Sequence, residues 1–390
     1  MAAPLAGPTP RVVGGLCARR RRSAPASRLP TCMRTHRRIR LEHPWLLWVR
    51  RRWLLCLVSL AFAVLVAFRF DEIRQIALAL VRGQLQWVLV ALLTQVGYYS
   101  LYAVLYQMGF LTVGVESRWG DLLPVLFASV FLKAVVPSGG VSSLAVMVDD
   151  AAKRGQSSAR AAGGALLVLT ADLATMVPLL LYGLHYLALR GALRAYQVIG
   201  VVFFVLFTTG LGAMLGLARR QPQVVSGVLH ALQQGVNWVA TVLHRRPFLA
   251  EDWAARNAAD FAGAAEGIAS RPWQLGRTLG LALFVHLLDV AAVYAIFLAY
   301  GHGVTVGAAI VGFAMDVVFS VITFIPHGLG VAEGAITMAF VSLGVPTANA
   351  LVVALAFRGL NVWLPLALGF LFLHQVRSFR ADRKTPSRQA

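Results

Sequence analysis

Charge is scarce in this sequence. Only 13% of its 390 residues are Asp, Glu, Lys or Arg, about half the share carried by an ordinary soluble domain. Acids number 16, and lysine occurs only at Lys133, Lys153 and Lys384. So little charge cannot cover a soluble body of this size, and the soluble class is excluded. Cysteine is as sparse: Cys17, Cys32 and Cys56 form no spacing for a zinc site or a disulfide framework, and inert thiols are the plain reading. Catalytic signatures are missing too. There is no G-x-S-x-G, no H-E-x-x-H, no Walker loop and no soluble segment large enough for a nucleotide site. No cofactor is expected, no enzymatic role is assigned, and ATP-driven pumping by this chain alone is not expected.

Apolar sequence takes the place of charge. Hydrophobic residues make up 58% of the chain and the mean hydropathy is +0.70. Several apolar runs approach the roughly 20 residues that span a bilayer as a helix. The fold class expected is all-α: a polytopic membrane bundle of about six full spans plus two Pro/Gly-broken re-entrant segments. Full spans are expected near 53–68, 85–108, 161–187, 196–217, 275–300 and 350–373. A polar stretch at 218–273, with Arg219, Arg220, Arg245, Arg246, Arg256 and Arg271, reads as amphipathic helices on the cytoplasmic surface.

The net charge of +20 sits mostly at the chain ends. Residues 1–52 hold 13 Arg against Glu42, a net +12, and the segment from Arg377 onward is net +4. Basic flanks mark cytoplasmic segments and attract anionic lipid head groups. The division expected is therefore a basic disordered extension (1–52), a transmembrane domain (53–373) and a basic tail (374–390). Both termini are placed in the cytoplasm and the protein in the plasma membrane. No nucleic-acid partner is expected, and a homo-oligomer is left open. The run after Trp53 is expected to be retained as an anchor. Met33 offers a second start, before MRTHRRIR. Arg outnumbers Lys 33 to 3, the bias of a GC-rich, bacterial genome.

The two broken segments resemble each other. SVFLKAVVPSGGVSSLAVM (129–147) and SVITFIPHGLGVAEGAITM (320–338) both run apolar, proline, glycines, apolar. Each lies between two full spans. With the N terminus inside, the first enters from the cytoplasm and the second from the other face, as an inverted repeat. Such repeats place binding sites at their broken helices. Two unrelated kinked helices are the alternative.

Non-helical backbone is tolerated at membrane depth only where protein buries it or water reaches it. Pro137, Ser138, Gly139 and Gly140 in the first turn, and Pro326, Gly328 and Gly330 in the second, are therefore candidate cavity-lining residues. The helix restarting after each turn would offer free N–H groups to an anion such as phosphate, with Ser142 and Ser143 adding donors beside Ser138. A ligand-free structural hairpin is the competing reading.

Few ionisable residues lie within the apolar segments: Lys133, Asp172, His286, Asp289, Asp316, Glu333 and Arg358. Each costs roughly 2.5–3.5 kcal/mol at mid-membrane and needs a partner or a task. Glu333 is expected to pair with Arg358, and Lys133 with Asp172, either binding substrate or only locking helices. His286 and Asp289, three apart on one helix face, read as a hydrogen-bonded pair rather than a metal site. Asp316 is a candidate proton carrier, or a residue beside a wet pocket.

The stretch IPHGLGVAEGAITMAFVSLGV, with ALAFRGLNVWLPLALG after it, resembles the lysylphosphatidylglycerol synthase transmembrane-region family, flippase-like membrane proteins. Pro326, Gly328, Gly330, Glu333, Gly344, Arg358, Trp363, Pro365 and Gly369 match its pattern in order, within a likeness spanning about residues 50–375. The first half departs from it: Lys133 stands near the family's Asn, residues 141–143 are VSS without a carboxylate, and Leu169 takes an arginine's place before Asp172. The resemblance implies movement of amphiphilic lipids between leaflets. Synthases of the family add a soluble aminoacyltransferase domain, which this sequence lacks, so synthesis of aminoacyl lipid is not expected of it. The function expected is binding and translocation of a lipid or lipid-linked anion. The alternatives are an intramembrane head-group transferase using Asp316 or Glu333, and a non-catalytic membrane partner of a cell-envelope enzyme.

Overall fold

The computed structural model describes residues 59–135, 141–242, 252–301, 303–323, 328–373 and 376. Pro137, Ser138, Gly139, Gly140 and Pro326, the extension 1–52 and most of the tail lie outside these. The described residues form helices and no strand. In chain order they are α1 (Ser59–Phe68), α2 (Phe70–Arg82), α3 (Leu85–Thr112), α4 (Trp119–Val135), α5 (Val141–Lys153), α6 (Ser158–Leu189) and α7 (Ala195–Arg220). There follow α8 (Pro222–Val242), α9 (Trp253–Ala269), α10 (Pro272–Ala299), α11 (Val306–Ile322), α12 (Val331–Ser342), α13 (Thr347–Arg358), a π-helical turn (Gly359–Trp363) and α14 (Leu364–Phe372).

Five described helical stretches are long and apolar enough to cross a membrane: 85–112, 158–189, 195–213, 272–299 and 347–372. The protein is a multi-pass membrane protein. Its first expected span is described from Ser59, and a feature unexpected from the sequence follows it. After the single non-helical residue Arg69 the helix resumes as α2, where the apolar run had ended. The stretch FDEIRQIALALVR keeps helical periodicity: Ile76 and Ala79 are buried against the bundle while Asp71, Arg74 and Gln75 stay exposed. Side-chain oxygens of Ser157 and Thr305 cap α6 and α11, and Pro272 opens α10, where its missing N–H costs nothing. These polar ends extend the helices a few residues past their apolar runs. The polar stretch after α7 contains α8 and α9, and α9 packs on α6, α7 and α8.

The spans α3 and α10 pack along their lengths and run antiparallel. The Gln84 N–H before α3 donates to the Ala299 carbonyl at the end of α10 (2.8 Å). At the other end, Arg271 before α10 reaches the Thr112 carbonyl that closes α3 (3.5 Å). Around this pair the two helix–break–helix units are related by exchange. α4 packs on α14 as α11 packs on α6; α4 on α5 as α11 on α12; α5 on α6 as α12 on α13. Because the central pair is antiparallel, the two-fold axis relating the units lies across the helices, and the repeat is inverted. The close approach of α4 and α14 depends on Gly369, where an added Cβ would meet the Phe127 carbonyl at 2.2 Å.

The two hairpins open at opposite ends of the bundle. The base of α4–α5 lies beside the C-terminal half of α3, where Gln107 donates to the Ser117 carbonyl (3.0 Å) and Trp119 to that of Ser100 (3.0 Å). Arg154 at the end of α5 pairs with Asp150 and reaches Asp121 at the start of α4. α11 starts instead beside the end of α6, where the Tyr186 and Thr305 hydroxyls are hydrogen-bonded (2.6 Å).

Candidate functional site

Arg358 closes α13 twelve residues into its span, about 17 Å from the Thr347 end at 1.5 Å per residue. That is near the middle of a bilayer core about 30 Å thick. The side chain is 1% exposed. A lone guanidinium there would be costly, and two carboxylates meet it. Its Nε donates to Glu333 Oε1 (2.7 Å), and its Nη1 donates to Asp316 Oδ1 (2.9 Å) and to Ser320 Oγ (3.3 Å). The expected Glu333–Arg358 contact is present. Asp316, one face of α11 away, is a second carboxylate on the same cation and so is tied by an ion pair. In the sequence Asp316 stands out as an interior acid, but nothing there marks it as a partner of Arg358, 42 residues on.

Glu333 does two things. While Oε1 accepts from Arg358, Oε2 accepts the Gly330 N–H at the start of α12 (2.6 Å). A negative charge from the protein thus already sits at the helix N-terminus that sequence reasoning offered to an anion. Gly328 and Gly330 shape the turn with φ of 62° and 90°, a region L side chains rarely adopt. Arg69, between α1 and α2, covers this turn: it donates to the Leu329 carbonyl (3.3 Å) and pairs with Glu72 (3.0 Å), which accepts from Trp363 Nε1 (3.2 Å). Arg69 and Glu72 were not anticipated, because they fall in a stretch that reads as a polar loop. Trp363 ends the π-turn that begins after Arg358, and the Asn361 carbonyl in that turn accepts from Tyr99 Oη (2.8 Å). Wide helical turns of this kind recur at functional sites.

The first half is arranged differently. The expected Lys133–Asp172 ion pair is not formed. Lys133, half-buried at the end of α4, makes no hydrogen bond or ion pair among the described residues, although it lies in electrostatic range of Asp172 and Asp316. Asp172, 17% exposed, faces His286 of α10 instead (Oδ1–Nε2 3.5 Å), and the Tyr102 hydroxyl faces the same carboxylate. Ser142 and Ser143 at the start of α5 are half-buried. Nor do His286 and Asp289 pair. The His286 Nε2–H donates to the Asp172 backbone carbonyl (2.8 Å), and Asp289 accepts from Gln95 of α3 (2.7 Å). The helical spacing put both side chains on one face, but interhelical partners claimed each. Among the described residues no group of three His, Cys, Asp or Glu is placed to hold a metal.

A family model described as the lysylphosphatidylglycerol synthase TM region matches residues 53–369. No curated protein and no solved structure matches the chain. The match takes in α1 to α14 except the last residues, and both hairpins. The chain belongs to this family.

Proposed function

We propose that this member of the lysylphosphatidylglycerol synthase TM-region family binds a lipid or lipid-linked anion and moves it between leaflets. The observation that carries the reading is the pair of broken-helix hairpins opening at opposite ends of an antiparallel core, with Asp316, Glu333 and Arg358 buried together in the second half. An inverted arrangement can open its central site alternately to each face. In the proposal Lys133, half-buried and without an ionic partner at bonding distance, meets the anionic head group from the first half, beside Asp172 and the turn Pro137–Gly140. Arg358 serves the second half with Pro326, Gly328 and Gly330. It is closed off by Glu333 and Asp316 in the conformation described, so head-group contact there requires the α12 limb to shift. In this reading both termini are cytoplasmic and the membrane is the plasma membrane, with the basic flanks, which favour the cytoplasmic side, meeting anionic lipids.

The test is lipid exchange in proteoliposomes. Fluorescent phospholipids of differing head groups are bleached from outside, with wild type beside Arg358→Ala and Lys133→Ala. The reading expects faster exchange in wild type, its loss in Arg358→Ala, and in Lys133→Ala a loss confined to anionic head groups. Exchange unaffected by Arg358→Ala overturns the assignment of Arg358. Product formed from donor and acceptor lipids without exchange favours a transferase.

A further inference from the structure

The middle of the bundle holds more acid than base. Among the described residues, Asp172, Asp289, Asp316 and Glu333 lie with two fixed cations within the spans, Lys133 and Arg358, while Arg69 borders the Gly330 turn. Glu333 and Asp316 are bonded to Arg358. Asp289, 2% exposed, has the neutral Gln95 amide as its hydrogen-bond donor. A membrane interior does not hold such an excess of negative charge uncompensated.

A second observation falls at the same place. Three buried polar atoms without a hydrogen-bond partner are Gln95 Oε1, Asp172 Oδ1 and His286 Nδ1. They belong to one connected group, since Gln95 holds Asp289, Asp289 stands one turn from His286, and His286 touches Asp172. Because His286 Nε2 carries the hydrogen donated to the Asp172 carbonyl, Nδ1 of the neutral ring is an acceptor. All three are acceptors: the Asp172 carboxylate is faced by the Tyr102 hydroxyl and, at 3.5 Å, by His286 Nε2, whereas Gln95 Oε1 and His286 Nδ1 meet no donor among the described residues. Buried polar atoms are rarely left so. Gln95 Oε1 and His286 Nδ1 can each accept a further hydrogen.

We propose that Asp172, His286 and Asp289 form an exchangeable proton site that couples lipid movement to a transmembrane proton gradient. This rests on the translocation reading above. Asp172, the partly exposed member, meets water; a proton taken up from one face passes by way of His286 to Asp289, resides there, and leaves as H⁺ to the other face. Protonated, the His286 ring carries a positive charge 3.5 Å from the Asp172 carboxylate, and a protonated Asp289 offers a donor where acceptors now stand alone. The charged and titratable surroundings are set by the neighbouring helices. α3 brings Tyr98, Tyr99 and Tyr102, and α6 brings Asp172. From α4 comes Lys133, from α11 Asp316 and from α13 Arg358. α9 adjoins α10 through Ser270 and Arg271, at its first turn. A packed route leads to the second half: the His286 ring lies 5.7 Å from that of Phe313, which meets Phe357 edge-on at 6.5 Å, next to Arg358.

The experiment uses the full chain in proteoliposomes holding a lumenal pH dye and a leaflet-labelled phospholipid. A pH difference of about one unit is worth about tenfold per coupled proton, so the labelled lipid should become biased between leaflets by up to about tenfold, with the sign reversing with the gradient. His286→Gln and Asp289→Asn should still move lipid but without the bias. Exchange in wild type that ignores the gradient, or a bias kept by both variants, overturns the proposal. A second measurement does not depend on lipid movement. The infrared difference spectrum of detergent-solubilised protein on changing pH should show a protonated-carboxyl band that is missing in Asp289→Asn. If no lipid moves but this band is present, the translocation reading fails while the proton site stands. If the band is absent in wild type, the proton site fails whatever the lipid does.

Discussion

Arg358 and Glu333 are joined across two elements: the Arg358 Nε donates to Glu333 Oε1 at 2.7 Å, while the other carboxylate oxygen holds the Gly330 N–H at 2.6 Å. One side chain thereby ties the last span to the turn of the second hairpin. Removing one member of a buried ion pair leaves the other charge uncompensated, a loss of about 3–5 kcal/mol. Glu333→Ala should approach that loss, since it removes the helix cap as well. Glu333→Gln keeps an oxygen for either partner and should lose less. Unfolding in mixed micelles measures both, and Glu333→Ala with unchanged stability would contradict the pairing.

The antiparallel packing of α3 and α10 makes a covalent prediction. A Cβ added at Gly83 would lie 3.4 Å from the Cβ of Ala299, close to the roughly 3.5–4.5 Å of a disulfide. In a background lacking Cys17, Cys32 and Cys56, the pair Gly83→Cys and Ala299→Cys should cross-link on mild oxidation. A control pair of Gly83→Cys with Pro272→Cys, at the far end of α10, should not. A gel shift after proteolysis between the two helices distinguishes them.

Glycines of the same helical bundle should respond in opposite directions. Gly369→Ala places a methyl against the Phe127 carbonyl at 2.2 Å and the Phe131 Cβ at 2.7 Å, both packed. Overpacking of this kind costs about 1–3 kcal/mol. Gly276, inside α10, has nothing within 4 Å of such a Cβ, and Gly276→Ala should stabilise by roughly 0.5–1 kcal/mol. Thermal unfolding of the two variants beside wild type checks the sign of each.

Tyr300 follows the last turn of α10, outside the span, and its hydroxyl donates to the Ala79 carbonyl at the end of α2. Burial pushes its pKa up from the ordinary 10.0 to about 12. The folded protein therefore holds the proton more tightly than the unfolded chain. The stabilisation is complete below pH 10.0 and is lost as pH rises from there to about 12. Tyr300→Phe should be less stable than wild type at neutral pH, with the difference shrinking through that window. A difference that stayed constant across it would assign the effect to packing alone.

Much of this was legible along the chain. The spans show in uninterrupted apolar runs, because a bilayer demands them. The hairpins show in PSGG and PHGLG, because only a broken helix tolerates proline and glycine at that density. The repeat shows in the likeness of 129–147 to 320–338. Glu333 and Arg358 stand out because charge is rare there. α2 was not legible: Arg69, Asp71 and Glu72 end the apolar run, although helical periodicity continues to Arg82.

The sequence by itself determined that this is an all-α, multi-pass membrane protein with two broken segments and a handful of costly interior charges, since each of those follows from local composition. Only the tertiary structure decided which charge meets which. Asp316 joins Arg358 across 42 residues, Asp172 turns to His286 across 114, and Asp289 to Gln95 across 194. Helical periodicity assigns a side chain to a face of its own helix. The helix opposite that face, and the depth at which the two meet, are set by the packing of the whole bundle.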